Sequence, residues 1–300
     1  MENIKEKLSG VFAPVVTPFE NDEILFDGLV KNIEKMNKTG LRGYFVLGTN
    51  GEFKSLSVEE RMEVLKVVIG CASKDKVIMA GTSAESTKET LQITMKAVKA
   101  GAQMVSLLMP SFFAKRIDDD VMTDYILSIA EESTVPVLVY NNPSVAAGVN
   151  VSPEVVRRVS GHPMVVGMKD SSKGNFVEYL KAAKEGFYVL AGSASFFLEL
   201  LKAGGIGGVL SLANVFPEDC VRLYRAFIDG REDEAQRINS LLVSLNKEVS
   251  GTYGVAGVKA AMDIVGYIGG SPRRPLRGLS EGQKEDLKKK LLASGFLKVA

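Results

Sequence analysis

The sequence predicts an α/β fold, a (β/α)8 TIM barrel followed by a C-terminal α-helical extension. Three observations carry that prediction. Eight short apolar runs recur along the first two thirds of the chain, segments of helical periodicity separate them, and the strand rhythm stops after Phe216. The 300 residues are enough for one large α/β domain or two ordinary ones.

The apolar runs fall at 11–16, 43–47, 77–80, 104–109, 136–140, 164–168, 188–191 and 208–212. Each is too short for a helix and apolar at consecutive positions, the pattern of parallel strands covered on both faces. Ser57 opens a helix as N-cap, with Glu60 three positions on and Leu65, Val68 and Ile69 as its apolar stripe. Ser86 with Glu89, Asp118 onward, and Ser152-Pro153-Glu154 open three more, the last with proline at the first helical position. A doubly wound sheet fits less well, because no glycine-rich dinucleotide turn follows the first strand. From 217 onward the pattern reads as helices only, at 217–229, 232–249, 257–265 and 280–294, with 269–275 an irregular connector. The expected division is a barrel over 1–224 and a helical extension packed on it over 225–300.

Composition narrows the function classes. Apolar residues make up 46 % and charged residues 24 %, which excludes a disordered or coiled-coil chain. A formal charge of +1 provides no footprint for nucleic acid or an anionic membrane. Cys71 and Cys220 cannot form a disulfide framework and sit in helical stretches as small apolar fillers. The first seven residues alternate charge without an apolar signal core, and no stretch approaches about 18 uninterrupted apolar residues. A cytoplasmic location is expected.

In a (β/α)8 barrel the chemistry sits at the C-terminal ends of the strands. Those ends are rich in hydroxyls and amides: Thr17, 48–52, Thr82, Ser111, Tyr140-Asn141, Lys169-Asp170-Ser171, Gly192-Ser193 and 211–214. They hold no cluster with metal-ligand spacing. Lys169 follows the buried run 164–168. A strand-end lysine often snorkels to solvent, but an apolar cage favours the neutral amine, a nucleophile toward carbonyls. Tyr140 is either a rim aromatic or, beside such a lysine, a general acid/base. The turn Gly48-Thr49-Asn50-Gly51-Glu52 is either a plain loop or a carboxylate nest. His162 lies before the sixth strand, away from that face, and 204–208 precedes a strand rather than opening a helix, so it is no phosphate loop.

At these residues the chain resembles the dihydrodipicolinate synthase / N-acetylneuraminate lyase superfamily of class I pyruvate aldolases. The resemblance rests on Pro14-Val15-Val16-Thr17-Pro18-Phe19, Gly48-Thr49-Asn50-Gly51-Glu52, Tyr140-Asn141-Asn142-Pro143 and Gly167-Met168-Lys169-Asp170-Ser171. Within the superfamily the chain is most similar to 4-hydroxy-2-oxoglutarate aldolase, through Leu190-Ala191-Gly192-Ser193-Ala194, Leu212-Ala213-Asn214-Val215 and Tyr253-Gly254-Val255-Ala256-Gly257-Val258-Lys259. The resemblance implies a homotetramer built as a dimer of dimers. It implies that Lys169 forms a Schiff base with pyruvate, with no metal or separate cofactor, and that Tyr140 transfers protons. Thr49 and Asn50 then bind the keto-acid carboxylate, with Gly51, Ser171, Gly192 and Val209 around it.

The sequence departs from that family at two places. A tyrosine pair is usual where this chain has Ser111-Phe112-Phe113, so a proton relay would run through water, Ser111 or Thr49. The arginine that grips a second carboxylate in dihydrodipicolinate synthases has no counterpart in Ser144-Val145-Ala146-Ala147-Gly148, which disfavours a distal dicarboxylate and makes a less charged aldehyde credible. The implied reaction joins pyruvate to an aldehyde, or reverses that step, on a 4-hydroxy-2-oxoglutarate-like or 2-keto-3-deoxy sugar acid substrate. The alternatives are a dehydratase or hydratase of 2-oxo sugar acids, dihydrodipicolinate synthase itself, and a non-catalytic keto-acid-binding barrel.

Overall fold

Eight parallel strands close into a ring in the computed structural model, which describes residues 4–172 and 174–295. They are Gly10–Pro14, Gly43–Val46, Val77–Gly81, Met104–Leu108, Val137–Asn141, Val165–Asp170, Tyr188–Ala191 and Gly207–Val209. Each pairs with its neighbours in chain order, and the eighth returns to the first through Gly10 opposite Gly207. All eight expected runs are strands. The largest shift is in the eighth, which leaves the ladder at Val209 for a 3-10 turn, Ser211–Asn214. There Asn214 Nδ2 donates to the Pro14 carbonyl at 2.9 Å, tying the turn to the first strand.

The helix starts follow the capping chemistry. Ser57 and Glu60 form a reciprocal capping box on Val58–Cys71. Ser86, Asp118 and Ser152 each accept an N–H of the first turn of Thr87–Ala100, Asp119–Glu132 and Pro153–Val159. Each such cap stabilises its helix by about 1 kcal/mol. The eighth barrel helix, Pro217–Ile228, runs across the 224/225 division drawn from the sequence. Cys71 and Cys220 are both helical and unpaired, and burial pushes the Cys220 thiol up. No described helix is long and apolar enough to cross a membrane.

Two features were not anticipated. A hairpin, Phe19–Glu20 with Glu23–Ile24, follows the first strand. The extension is also more nearly continuous than its polarity suggests: Glu232–Asn246 passes through a π-turn at Lys247–Gly251 into Thr252–Ile264. Gly254, at φ 58° and ψ −141°, breaks that last helix near its start in a conformation open to glycine. The chain ends its described part with Glu281–Ala293.

Candidate active site

The site starts from a register irregularity. Val137 pairs with Val165 but Leu138 pairs with Gly167, so Val166 is bulged out of the ladder between the fifth and sixth strands. Past the bulge Tyr140 stands opposite Lys169, and Asn141 opposite Asp170. Successive side chains alternate across a strand, so Tyr140 and Lys169 project together into the barrel mouth. Asn141 and Asp170 turn to the helix layer, where Asn141 Nδ2 donates to Asp170 Oδ1 and the Tyr179 hydroxyl, each at 3.0 Å.

Lys169 is 4 % exposed. Its Nζ lies 3.8 Å from the Tyr140 ring centroid and 6.0 Å from that of Phe45, and donates to Ser171 Oγ at 3.1 Å. The Tyr140 hydroxyl is 2.9 Å from Thr49 Oγ1 and accepts from Asn142 Nδ2 at 2.9 Å. Burial pushes the Tyr140 phenol up. The Lys169 charge, with hydrogen bonds from Thr49, Asn142 and Lys169, outweighs burial and brings the phenol below the usual tyrosine range.

The turn at 48–52 delivers its side chains rather than a full nest of amides. The Gly51 N–H donates to the Gly48 carbonyl at 3.1 Å and the Glu52 N–H to the Thr49 carbonyl at 3.0 Å. The Gly51 carbonyl accepts from Thr17 Oγ1 at 2.9 Å, so Gly51 holds the turn and does not line the cavity. Thr49 and Asn50 do line it. Asn50 is 8 % exposed and its Nδ2 has no hydrogen-bond acceptor, a buried donor suited to a carboxylate. The turn is anchored by Glu52, a left-handed residue that accepts from the Arg273 N–H at 3.0 Å and pairs with buried Lys259 at 2.5 Å.

Ser171, Gly192 and Val209 complete the strand-end lining of a cavity of about 580 Å³. Gly192 has a steric reason. A Cβ there would lie 1.9 Å from Ser171 Oγ and 2.5 Å from the Asp170 carbonyl, which accepts from the Gly192 N–H at 2.6 Å. Val145 lines the cavity, whereas Ala146 is buried behind it.

Part of the lining was missed. Asn246, Lys247, Ser250 and Thr252 reach the cavity from the end of one helix, the π-turn and the start of the next helix. Asn246 Nδ2 donates to Ser195 Oγ at 2.9 Å and Ser193 Oγ at 3.2 Å, pinning the extension to the seventh strand's loop. The available signal was the break at Gly251 and Gly254 between two helical patterns.

Phe112 and Phe113 are 78 % and 69 % exposed, pack edge to face at 4.9 Å, and do not line the cavity. Ser111 is engaged with Glu85 and Lys54, so among the side-chain substitutes for the missing phenols only Thr49 touches Tyr140 within this chain. His162 caps its own loop through Nδ1, accepting from the Met164 N–H at 3.2 Å. Among the described residues no group of three or more His, Cys, Asp or Glu is placed to hold a metal ion.

The profile of the dihydrodipicolinate synthetase family matches residues 7–294. The chain belongs to that family. The chain is 33 % identical over 284 residues to a 4-hydroxy-tetrahydrodipicolinate synthase of Methanothrix thermoacetophila, covering 93 % of this chain and 94 % of that one. It is 30 % identical over 289 residues to a probable mitochondrial 4-hydroxy-2-oxoglutarate aldolase of Emericella nidulans, covering 93 % and 92 %. Its fold is similar to that of an E. coli K12 prophage protein of the dihydrodipicolinic acid synthase family solved with pyruvate, at a TM-score of 0.90 and 25 % identity over 96 % and 99 % of the two chains. Membership of the dihydrodipicolinate synthetase family makes the protein a carbon–carbon lyase of the pyruvate-dependent aldolase class.

Proposed function

We propose that the protein makes or breaks a carbon–carbon bond between pyruvate and an aldehyde through a Schiff base on Lys169. The observation that carries this reading is the buried pairing of Lys169 with Tyr140, whose hydroxyl is 2.9 Å from Thr49 Oγ1. The Lys169 amine attacks the 2-oxo carbon, and Tyr140 protonates the carbinolamine oxygen as water leaves. In the cleavage direction a base takes the proton of the 4-hydroxyl and the bond between carbons 3 and 4 breaks. Its electron pair enters the iminium to give an enamine. Protonation at carbon 3 and hydrolysis then return pyruvate and the free lysine. Thr49 and Asn50 hold the carboxylate, with Asn50 Nδ2 the unused donor. Ser171, Gly192 and Val209 frame the keto acid, and Gly51 serves by keeping the turn in shape.

The substrate class in this reading is a 4-hydroxy-2-oxoglutarate-like or 2-keto-3-deoxy sugar acid. The synthase condensation named for the Methanothrix relative is the second reading; it is weakened by Val145 and Ala146, which offer no cation beside Tyr140. On the family resemblance we also propose a cytoplasmic homotetramer, a dimer of dimers, with the extension acting as part of the same unit as the barrel.

The test is borohydride reduction with pyruvate, followed by intact mass and peptide mapping. A single adduct on Lys169 is expected. Absence of an adduct with pyruvate, 2-oxoglutarate and 4-hydroxy-2-oxoglutarate alike replaces the aldolase reading with a non-catalytic barrel.

A further inference from the structure

The cavity has a charge pattern that the reaction outlined above does not use. Among its described lining residues are two cations, Lys169 and Lys247, and no aspartate or glutamate. Lys169 belongs to the reacting centre. Lys247 is exposed, on the π-turn that follows Asn246. Its neighbour Glu248 is held by Lys290 at 2.7 Å, and among the described residues Lys247 has no ion pair. Asn246 anchors this turn to Ser193 and Ser195, so the cation is presented beside the seventh strand's loop. On the ring of strands that loop is separated from the Thr49–Asn50 turn by the eighth and first strands. The two therefore reach a bound molecule from different sides.

A cavity lined by one sign of charge selects the opposite sign. One carboxylate of a 2-oxo acid is accounted for at Thr49 and Asn50, which leaves an unneutralised cation for the other end of the molecule. The geometry points to Lys247 as a specificity residue for a second anionic group, carboxylate or phosphate, at the far end of the 2-oxo acid. This rests on the Schiff-base reading above and deepens it: the aldehyde partner is itself an anion. It departs from the expectation drawn from Ser144–Gly148, where a missing arginine suggested a less charged aldehyde. The cation is supplied by the extension instead. The serine and amide side chains around it, Ser193, Ser195, Asn246 and Ser250, suit hydroxyls between the two ends.

The experiment measures half-saturation for borohydride trapping with two pairs of 2-oxo acids, each referred to pyruvate, which has no far group. One pair is 2-oxoglutarate and 2-oxohexanoate; the other is 2-keto-3-deoxygluconate with and without a 6-phosphate. In the wild-type protein the anionic member of one pair half-saturates about five- to tenfold lower than its neutral mate, the range for a charge-assisted contact partly open to water. The pair that discriminates identifies carboxylate or phosphate. Lys247→Gln collapses the discrimination and Lys247→Arg retains it. Failure of both pairs to discriminate in the wild type, or discrimination that survives in Lys247→Gln, overturns the assignment while leaving the Schiff base intact. If pyruvate, 2-oxoglutarate and 4-hydroxy-2-oxoglutarate all give no adduct on Lys169, the Schiff-base reading falls and this inference falls with it.

Discussion

The strand-end part of the cavity and the part built by the helical extension hold their side chains in different ways. Lys169 and Tyr140 are buried and sit opposite each other on hydrogen-bonded strands, so their spacing is fixed by the sheet itself. Lys247 and Ser250 sit on a π-turn between Asn246, the last residue of the helix before it, and a glycine-broken helix, and their position depends on hydroxyl and amide contacts through Asn246 to Ser193 and Ser195. Sheet geometry tolerates little displacement, as a reacting amine and its proton donor require. A turn packed by polar contacts can be remodelled without disturbing the barrel, which suits the choice of aldehyde. The contrast predicts that substitutions at strand ends abolish chemistry, whereas those in the extension redistribute substrates.

The largest effect is expected at Lys169. Lys169→Met keeps the stem and removes the nucleophile, so borohydride trapping is lost and turnover falls by about 10⁴-fold or more. Retained trapping on another lysine would break the comparison at its base.

Tyr140→Phe comes next, with kcat/KM down about 10²–10⁴-fold, the usual range for one acid/base group. The pH profile sharpens the point. As a proton donor Tyr140 works in its neutral form, so activity falls as pH rises through its ionisation, which lies below the usual tyrosine value. Thr49→Val removes one of the hydrogen bonds that lower it and shifts this alkaline limb upward. A limb that persists in Tyr140→Phe assigns it to some other group.

The difference between the two regions also explains what could be read in advance. The strands were legible because burial on both faces demands consecutive apolar residues, and the strand ends then named Lys169, Tyr140, Thr49, Asn50, Ser171 and Gly192, with Val209 added by the family resemblance. Gly51 was legible as part of the turn but not its role, which depends on where its N–H and carbonyl are directed. The hairpin at Phe19–Ile24 has two-residue strands and no apolar run, leaving only Asn21 and Asp22, at φ 52° and 69°, as a turn signal. Asn246 and Lys247 fall inside 232–249, which reads as one uninterrupted helix. The π-turn starts at Lys247, directly after Asn246, and a π-turn has no periodicity of its own. The Glu52–Lys259 pair joins residues far apart in the chain, which no local pattern reveals.

A stability measurement tests how rigidly the turn at 48–52 must be held. Lys259→Met leaves the Glu52 carboxylate buried without its counter-charge, at a cost of about 3–5 kcal/mol in folding stability. The double variant Glu52→Gln/Lys259→Met removes both charges and recovers part of that loss. A full-sized loss that is not recovered assigns the effect to packing of the Lys259 stem rather than to the charge.

The smallest effect is expected at Asn246. Asn246→Ala deletes hydrogen bonds to Ser193 and Ser195 and the acceptor for Ser250, but the freed hydroxyls border an open cavity where water replaces the amide. The loss in folding stability is therefore about 1 kcal/mol, the net worth of one or two such bonds. The kinetic consequence falls on the turn that carries Lys247. Half-saturation for a long 2-oxo acid should rise by more than that for pyruvate, because only the long substrate reaches the extension. Equal losses for both would mean that the π-turn supports the strand-end site as well, and that the two regions are one rigid unit.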